Sequence, residues 1–251
     1  MSDWRLLIDP PQSGRENMAT DEAVLAACDQ GLSPSTFRLY EWSEPTLSLG
    51  CFQKADNLIK QCSEIRVPHI RRITGGRAVL HADEITYSLI CSENEPLFTE
   101  GISAAYKIIS QCLHEAFRAI GINADIHASR IRNCGSEKNS CFHSPSRYEI
   151  VIDNKKLVGS AQRRFKRAFL QHGSILFGVE RELILQLFGE ESLSRMAWLK
   201  CYSNIKKDEF KAVLTDKIKK GLNIQLTVGN INDNERCLRE KLIQKRQSIS
   251  Y

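Results

Sequence analysis

YEIVIDNKKLVGSAQRRFKRAFLQHGSILF, running from Tyr148 to Phe177, decides the fold class. Two strand signals, Tyr148–Ile152 and Lys156–Gln162, flank Asp153 and Asn154, residue types that tolerate the left-handed backbone of a tight hairpin. Leu170–Phe177 reads as a third strand, apolar but interrupted by Gln171 and His172. The basic cluster Arg163, Arg164, Lys166 and Arg167 falls between the second and third strands. It reads most simply as a solvated hairpin end, and secondly as a docking patch steered by charge toward an acidic carrier protein.

Upstream of these strands, Gly101–Ile120 carries the clearest helical period. Ile102, Ala105, Ile109, Cys112, Leu113, Ala116, Phe117 and Ile120 recur at three- and four-residue spacing, and Gly121 is well placed as the stop. Residues 128–147 carry no period and read as a long polar loop. Nearer the N-terminus, Trp4–Asp9 is a strand ended by Pro10-Pro11, and Asn17–Cys28 is a helix with Asn17 as its cap. Phe37–Tyr40, Thr46–Leu49, Ile70–Ile73, Ala78–His81 and Ile85–Cys91 are further strand candidates. Downstream, Arg181–Phe188, Asp208–Lys219 and Asn234–Gln244 read as helices, with Phe210, Val213, Leu214 and Ile218 forming one apolar stripe. The expectation is one mixed α/β domain over 1–251 with a helical C-terminal portion from about residue 180.

Composition fits that reading. With 251 residues, 42% hydrophobic and 26% charged, the chain is close to the globular average and should bury roughly 70–75% of its unfolded surface. No apolar run is long enough to span a membrane. The start, MSDWRLLIDPP, lacks the basic and apolar regions of a secretory signal. The net charge of +5 comes from 35 basic and 30 acidic residues spread along the chain, too diffuse for a nucleic-acid footprint. Nine cysteines without a CxxC pair suggest free thiols in the reducing cytoplasm.

Several residues could carry chemistry. In RRITGGRAVLH, Arg71 to His81, paired glycines allow close backbone approach and can present N–H groups to an anion or carbonyl. A hairpin with basic ends is the plainer reading. Lys156 could be solvated like Lys155, or could point inward as strand alternation permits. Cys141 lies in the polar loop with no apolar period around it. A lysine nearby would lower its pKa and make it a nucleophile, whereas an incidental exposed thiol or pairing with Cys134 are the structural alternatives. Cys134, Cys141 and His143 match no common zinc spacing. His172 could contact a ligand or be a satisfied core histidine.

Taken in order, these segments resemble the lipoate–protein ligase and octanoyltransferase family. The resemblance runs through NMATDEAVL (Asn17–Leu25), PTLSLGCFQ (Pro45–Gln53), RRITGGRAVLH, EITYSLI (Glu84–Ile90), CFHSPSRYEIV (Cys141–Val151), KKLVGSAQRR (Lys155–Arg164), LQHGSILF (Leu170–Phe177) and the closing NDNERCLREKL. It implies the α/β fold of biotin and lipoate ligases, a mixed and largely antiparallel sheet flanked by helices. Arg72, Thr74, Gly75, Gly76 and His81 would then line a fatty-acyl pocket, together with Gly159, Ser160, Ala161 and His172. Lys156 would contact the acyl carbonyl, and backbone N–H groups at Gly159–Ala161 or Gly75-Gly76 would form an oxyanion site. Each buried methylene of the acyl chain would contribute about 0.8 kcal/mol.

The family's branches use such a site differently. Ligases adenylate free lipoate with ATP and magnesium. Octanoyltransferases of the LipM class take octanoate from acyl carrier protein through a cysteine thioester. Here Cys141 lies fifteen residues before Lys156 within C-F-x-x-P-S-x-Y-E, which resembles the LipM class closely; the amidotransferase branch is less similar. The resemblance therefore implies transfer without ATP, metal or other cofactor, with Cys141 and Lys156 as the catalytic pair. It implies octanoyl-acyl carrier protein as donor and a lipoyl-domain acceptor such as the glycine cleavage H protein. A cytoplasmic monomer without nucleic-acid or membrane partners is expected. The alternatives are an ATP-dependent ligase and a non-catalytic lipoyl-domain binder.

Overall fold

The computed structural model describes residues 1–127 and 148–247. Its centre is an eight-stranded mixed sheet. In chain order the strands are β1 (Ser2–Ile8), β2 (Thr36–Tyr40), β6 (Glu84–Ser92), β7 (Asp125–Ile126), β8 (Ile150–Ile152), β9 (Lys155–Arg164), β10 (Ala168–Leu176) and β11 (Ile224–Val228). Across the sheet the order is β11-β1-β2-β6-β10-β9-β8-β7. The pairs β11–β1 and β1–β2 are parallel, and the remainder are antiparallel. A second sheet of three strands, β3 (Thr46–Leu49), β4 (His69–Arg71) and β5 (Val79–His81), lies in the order β4-β3-β5.

The decisive stretch forms β8, β9 and β10 in succession. Asp153 and Asn154 take φ of 49° and 62°, the left-handed pair that a tight turn between right-twisted strands demands. The basic cluster is not simply solvated. The Arg164 guanidinium lies 3.7 Å from the Phe98 ring centroid and donates to the Phe98 carbonyl at 2.7 Å. Arg167 pairs with Glu93, while its backbone N–H donates to Asp29.

Strand alternation sorts β6 onto two faces. Ile85, Tyr87, Leu89 and Cys91 join the large core with α4 (Gly101–Ala119), whose Ala105, Ile109, Leu113, Ala116 and Phe117 are all buried as the period predicts. Phe210, Leu214 and Ile218 of α6 (Lys207–Gly221) enter the same core. Gly121 stops α4 at φ +78°. On the opposite face Ile90 packs with Leu170 of β10 and with Val24, Leu25 and Cys28 of α1 (Gly14–Asp29). The three-stranded sheet has its own core, built with α2 (Asp56–Glu64) and α5 (Arg181–Ser194). A short helix, α3 (Pro96–Thr99), precedes α4, and α7 (Asp233–Gln247) packs on α1.

Two expectations change. Ser13, not Asn17, caps α1: its hydroxyl accepts from the Glu16 N–H at 3.3 Å and Glu16 accepts from the Ser13 N–H at 3.0 Å. Asn17 lies inside the helix, fully buried, with its amide donating to the carbonyls of Gln12 and Glu41. The C-terminal portion is not all helix either. Ile224–Val228 forms β11, which pairs with β1 and so joins the last strand of the described residues to the first.

Candidate active site

A pocket of about 430 Å³, counting its mouth open to solvent, lies between the two sheets and the first turns of α1. The large sheet contributes Thr86, Gly159, Ser160, Ala161, His172, Gly173 and Ser174, all small side chains except His172. The three-stranded sheet and the turn beside it supply Ser48, Arg72, Gly76, Val79 and His81, while Met18 and Tyr40 close another side. Seven of the residues expected in an acyl site therefore border one cavity: Arg72, Gly76, His81, Gly159, Ser160, Ala161 and His172. Thr74 and Gly75 do not border it. They belong to the turn that Arg72 holds.

Arg72 is a scaffold side chain in this geometry. One guanidinium nitrogen donates to the Ser48 carbonyl at 3.0 Å and its hydroxyl at 2.9 Å. The other donates to the carbonyls of Gly75 and Arg77, each at 2.8 Å. The turn it closes needs glycine at Gly76, where φ is +91°. A second turn presses on it: the Cys51 N–H donates to the Thr74 carbonyl at 2.9 Å. A Cβ on Gly50 would stand 2.0 Å from the Gly76 carbonyl oxygen.

The two pocket histidines are held alike, each between a carboxylate and a hydroxyl. His172 has Asp21 at 3.0 Å from Nδ1 and the Thr74 hydroxyl at 2.7 Å from Nε2. Burial pushes the His172 pKa down against the pull of Asp21. A neutral ring donating from Nδ1 leaves Nε2 to accept from Thr74. Asp21 is itself gripped by Arg38 at 2.7 Å and by the Tyr40 hydroxyl at 3.0 Å. Burial opposes its charge, but Arg38 and His172 hold its carboxyl below the usual value. His81 has Glu84 at 2.9 Å from Nδ1 and Ser48 at 2.7 Å from Nε2, and its ring stacks on Trp42 at 3.9 Å. Glu84 also accepts from the hydroxyls of Thr86 and Ser174. The polar groups of the wall thus bond to one another, and an alkyl chain can lie against them without stripping water from unmatched donors.

Lys156 stands three residues before Gly159 on β9 and is 1% exposed, whereas Lys155 is exposed. Its ammonium donates to the Glu149 carboxylate at 2.6 Å, and Glu149 is buried too. The segment after α5 grips the lysine backbone: Lys156 N–H donates to the Arg195 carbonyl and Ala197 N–H to the Lys156 carbonyl. Lys156 is not on the cavity wall itself. Cys141 lies outside the described residues, as do Cys134 and His143. Among the described cysteines, burial pushes the thiols of Cys28 and Cys112 up to about 12 and that of Cys62 to about 11, values of inert core thiols. No cluster of three potential metal ligands occurs among the described residues, and no helix there is long and apolar enough to cross a membrane.

Sequence reasoning missed Glu149, Asp21, Ser48 and Glu84. A buried lysine demands a counter-charge, so the only acid in YEIVI was the available signal for Glu149. The other three sit inside the quoted motifs NMATDEAVL, PTLSLGCFQ and EITYSLI, but hydropathy alone gives them no distinction.

The profile of the lipoyl protein ligase A/B catalytic domain matches residues 13–219. The octanoyltransferase LipM of Brevibacillus brevis is 36% identical over 276 residues, covering 98% of this chain and 96% of that protein. That of Clostridioides difficile is 35% identical, covering 100% and 98%. A lipoate-protein ligase A structure bound with ATP superimposes with a TM-score of 0.83 at 22% identity, over 99% of this chain and 96% of that one. A bi-partite lipoate protein ligase from Thermoplasma acidophilum gives 0.80 at 19% identity, over 99% and 94%. These structures share the mixed sheet and its flanking helices. With a family profile spanning most of its length and relatives over a third identical from end to end, the chain belongs to the lipoyl protein ligase A/B catalytic domain family.

Proposed function

We propose that this protein carries out its octanoyl transfer, a reaction of lipoate biosynthesis, through a thioester on Cys141, with residues 1–251 working as one catalytic domain. The enzyme is an acyltransferase, as its LipM relatives are. In the first step the Cys141 thiolate attacks the thioester carbonyl of the octanoyl donor. A C–S bond forms to Cys141, and the carrier leaves as its thiolate and takes up a proton. In the second, the acceptor lysine amine attacks the acyl-enzyme. The amide C–N bond forms, the bond to Cys141 breaks, and the proton lost by the amine balances the leaving thiolate. Both donors are thioesters, so the activation an ATP-dependent ligase must create is already present. The acyl chain lies in the pocket bordered by Arg72, Gly76, His81, Gly159–Ala161 and His172, with Thr74 and Gly75 shaping its turn.

The observation that carries this reading is Lys156, an ammonium buried beside Glu149 on the strand that also supplies Gly159–Ala161. A cation there would favour a thiolate and polarise an acyl carbonyl. The general partners are an acyl carrier protein and a lipoyl-domain protein; the H protein as acceptor, a monomeric state and a cytoplasmic location complete the proposal. The test is intact mass after incubation of the reduced protein with octanoyl-acyl carrier protein, without ATP or magnesium. One octanoyl group should be added, removable by hydroxylamine, absent from Cys141→Ala and retained in Cys134→Ala. Modification that needs ATP and free acid, and survives Cys141→Ala, would replace this reading with a ligase.

A further inference from the structure

The chain turns sharply at Gly50–Gln53, where the Gln53 N–H donates to the Gly50 carbonyl at 3.0 Å. At the tip stands Phe52, 83% exposed, the most exposed large apolar side chain among the described residues. This exposure is built into a rigid support. Arg71 clamps the turn from below, donating to the carbonyls of Gly50 at 2.7 Å and Gln53 at 2.9 Å. The Cys51 N–H bonds to Thr74, and Gly50 lies against Gly76, which borders the pocket. A solvent-facing aromatic on a fixed turn beside the pocket has the character of an interface anchor, because the backbone entropy of its turn is already spent.

The surroundings are positively charged. Gly50–Arg77 carries six basic residues against two acidic ones, in a chain whose net charge is only +5. Lys54, Lys60 and Arg71 of this segment are exposed. The Arg163–Arg167 cluster, by contrast, engages much of its charge internally through Phe98, Phe169 and Glu93. An acidic domain would be drawn to the Phe52 rim.

We propose that the Phe52 turn is the docking surface for the lipoyl-domain acceptor, its basic rim meeting acidic groups on that domain. The proposal rests on the two-step reading above and specifies how its second partner binds. Reach distinguishes acceptor from donor. An acceptor lysine is four methylenes and an amine, so the body of its domain must come to the pocket mouth. A carrier protein delivers its thioester on a prosthetic arm several times longer, and its body can rest elsewhere.

The experiment measures equilibrium binding of an unmodified lipoyl-domain protein to the full chain, with Phe52→Ala and with Lys54→Glu/Lys60→Glu. Binding involves no chemistry, so it reports on docking whether or not Cys141 carries the acyl group. Phe52→Ala should weaken acceptor binding about ten-fold while leaving the melting temperature unchanged, since so exposed a ring contributes little packing. Acylation by a small octanoyl thioester and binding of the acyl carrier protein should stay at wild-type levels. The charge-reversed variant should lose salt dependence in acceptor binding. Unaltered acceptor binding by Phe52→Ala would overturn the proposal. So would an equal loss for donor and acceptor, or a loss confined to the donor.

Discussion

Lys156 and Glu149 leave water together, 2.6 Å apart. Such a pair is tolerable only because each charge answers the other. Replacing Glu149 by Gln keeps an acceptor oxygen near the ammonium and removes the charge that balances it. Lys156 would be held less firmly, and in the catalytic role proposed for it a misplaced group loses rate steeply. Glu149→Gln should therefore lower kcat by about 10- to 100-fold, with KM for a small octanoyl thioester nearly unchanged because the pocket walls are untouched. Steady-state kinetics with a melting curve checks this; wild-type kcat would remove Glu149 from the positioning of Lys156. At this scale the sequence was half legible. Alternation permitted Lys156 inward and Lys155 outward without deciding it, and Glu149 in YEIVI could equally have faced solvent, since its partner lies across a turn.

Among elements, a sustained apolar period was legible in the sequence, and so were strongly apolar strands, while α2 and β11 were not read. α4 repeats its apolar spacing over several turns and was legible. α2 was missed although Leu58, Ile59, Cys62 and Ile65 recur at helical spacing on its buried side, because it spans only nine residues, Asp56–Glu64. β11 becomes a strand by pairing with β1 more than two hundred residues earlier, information that no local window contains. The turns at Gly50 and Gly76 show the same contrast. The glycine pair was visible, but its support by Gly50 required the folded contact. Gly50→Ala should force the two turns apart, because its Cβ would meet backbone oxygen at 2.0 Å. An alanine Cβ at Gly75 would meet nothing within 4 Å, and φ there is not positive. Octanoyl transfer should thus fall at least about ten-fold in Gly50→Ala, by misplacing the pocket rim, while Gly75→Ala keeps wild-type stability. Comparable melting temperatures and activities in the two variants would show that the turns yield readily to each other.

For the whole molecule, the C-terminal tail is tied to the same helix that lines the pocket. Asn232 and Glu235 form a reciprocal cap on α7: Asn232 accepts from the Glu235 N–H at 2.9 Å, and Glu235 accepts from the Asn232 N–H at 2.6 Å. The Glu235 carboxylate, with its side chain 0% exposed, also takes both terminal nitrogens of Arg5 on β1. From α7, Arg239 donates to the Thr20 hydroxyl on α1 at 2.9 Å, and α1 carries Met18 and Asp21 toward the pocket. Glu235 thus caps the last helix and pairs with the first strand, while Arg239 of the same helix bonds to the helix that borders the pocket. Glu235→Ala would leave Arg5, only 10% exposed in its side chain, without its carboxylate, and would remove the cap as well. Breaking a buried pair of this kind destabilises by about 3–5 kcal/mol. Denaturant unfolding should show that loss. Transfer activity should fall with it as temperature rises, yet recover toward wild type in the cold, where the folded population is restored. A variant that keeps full stability would mean that α7 adds nothing to the fold that holds the pocket.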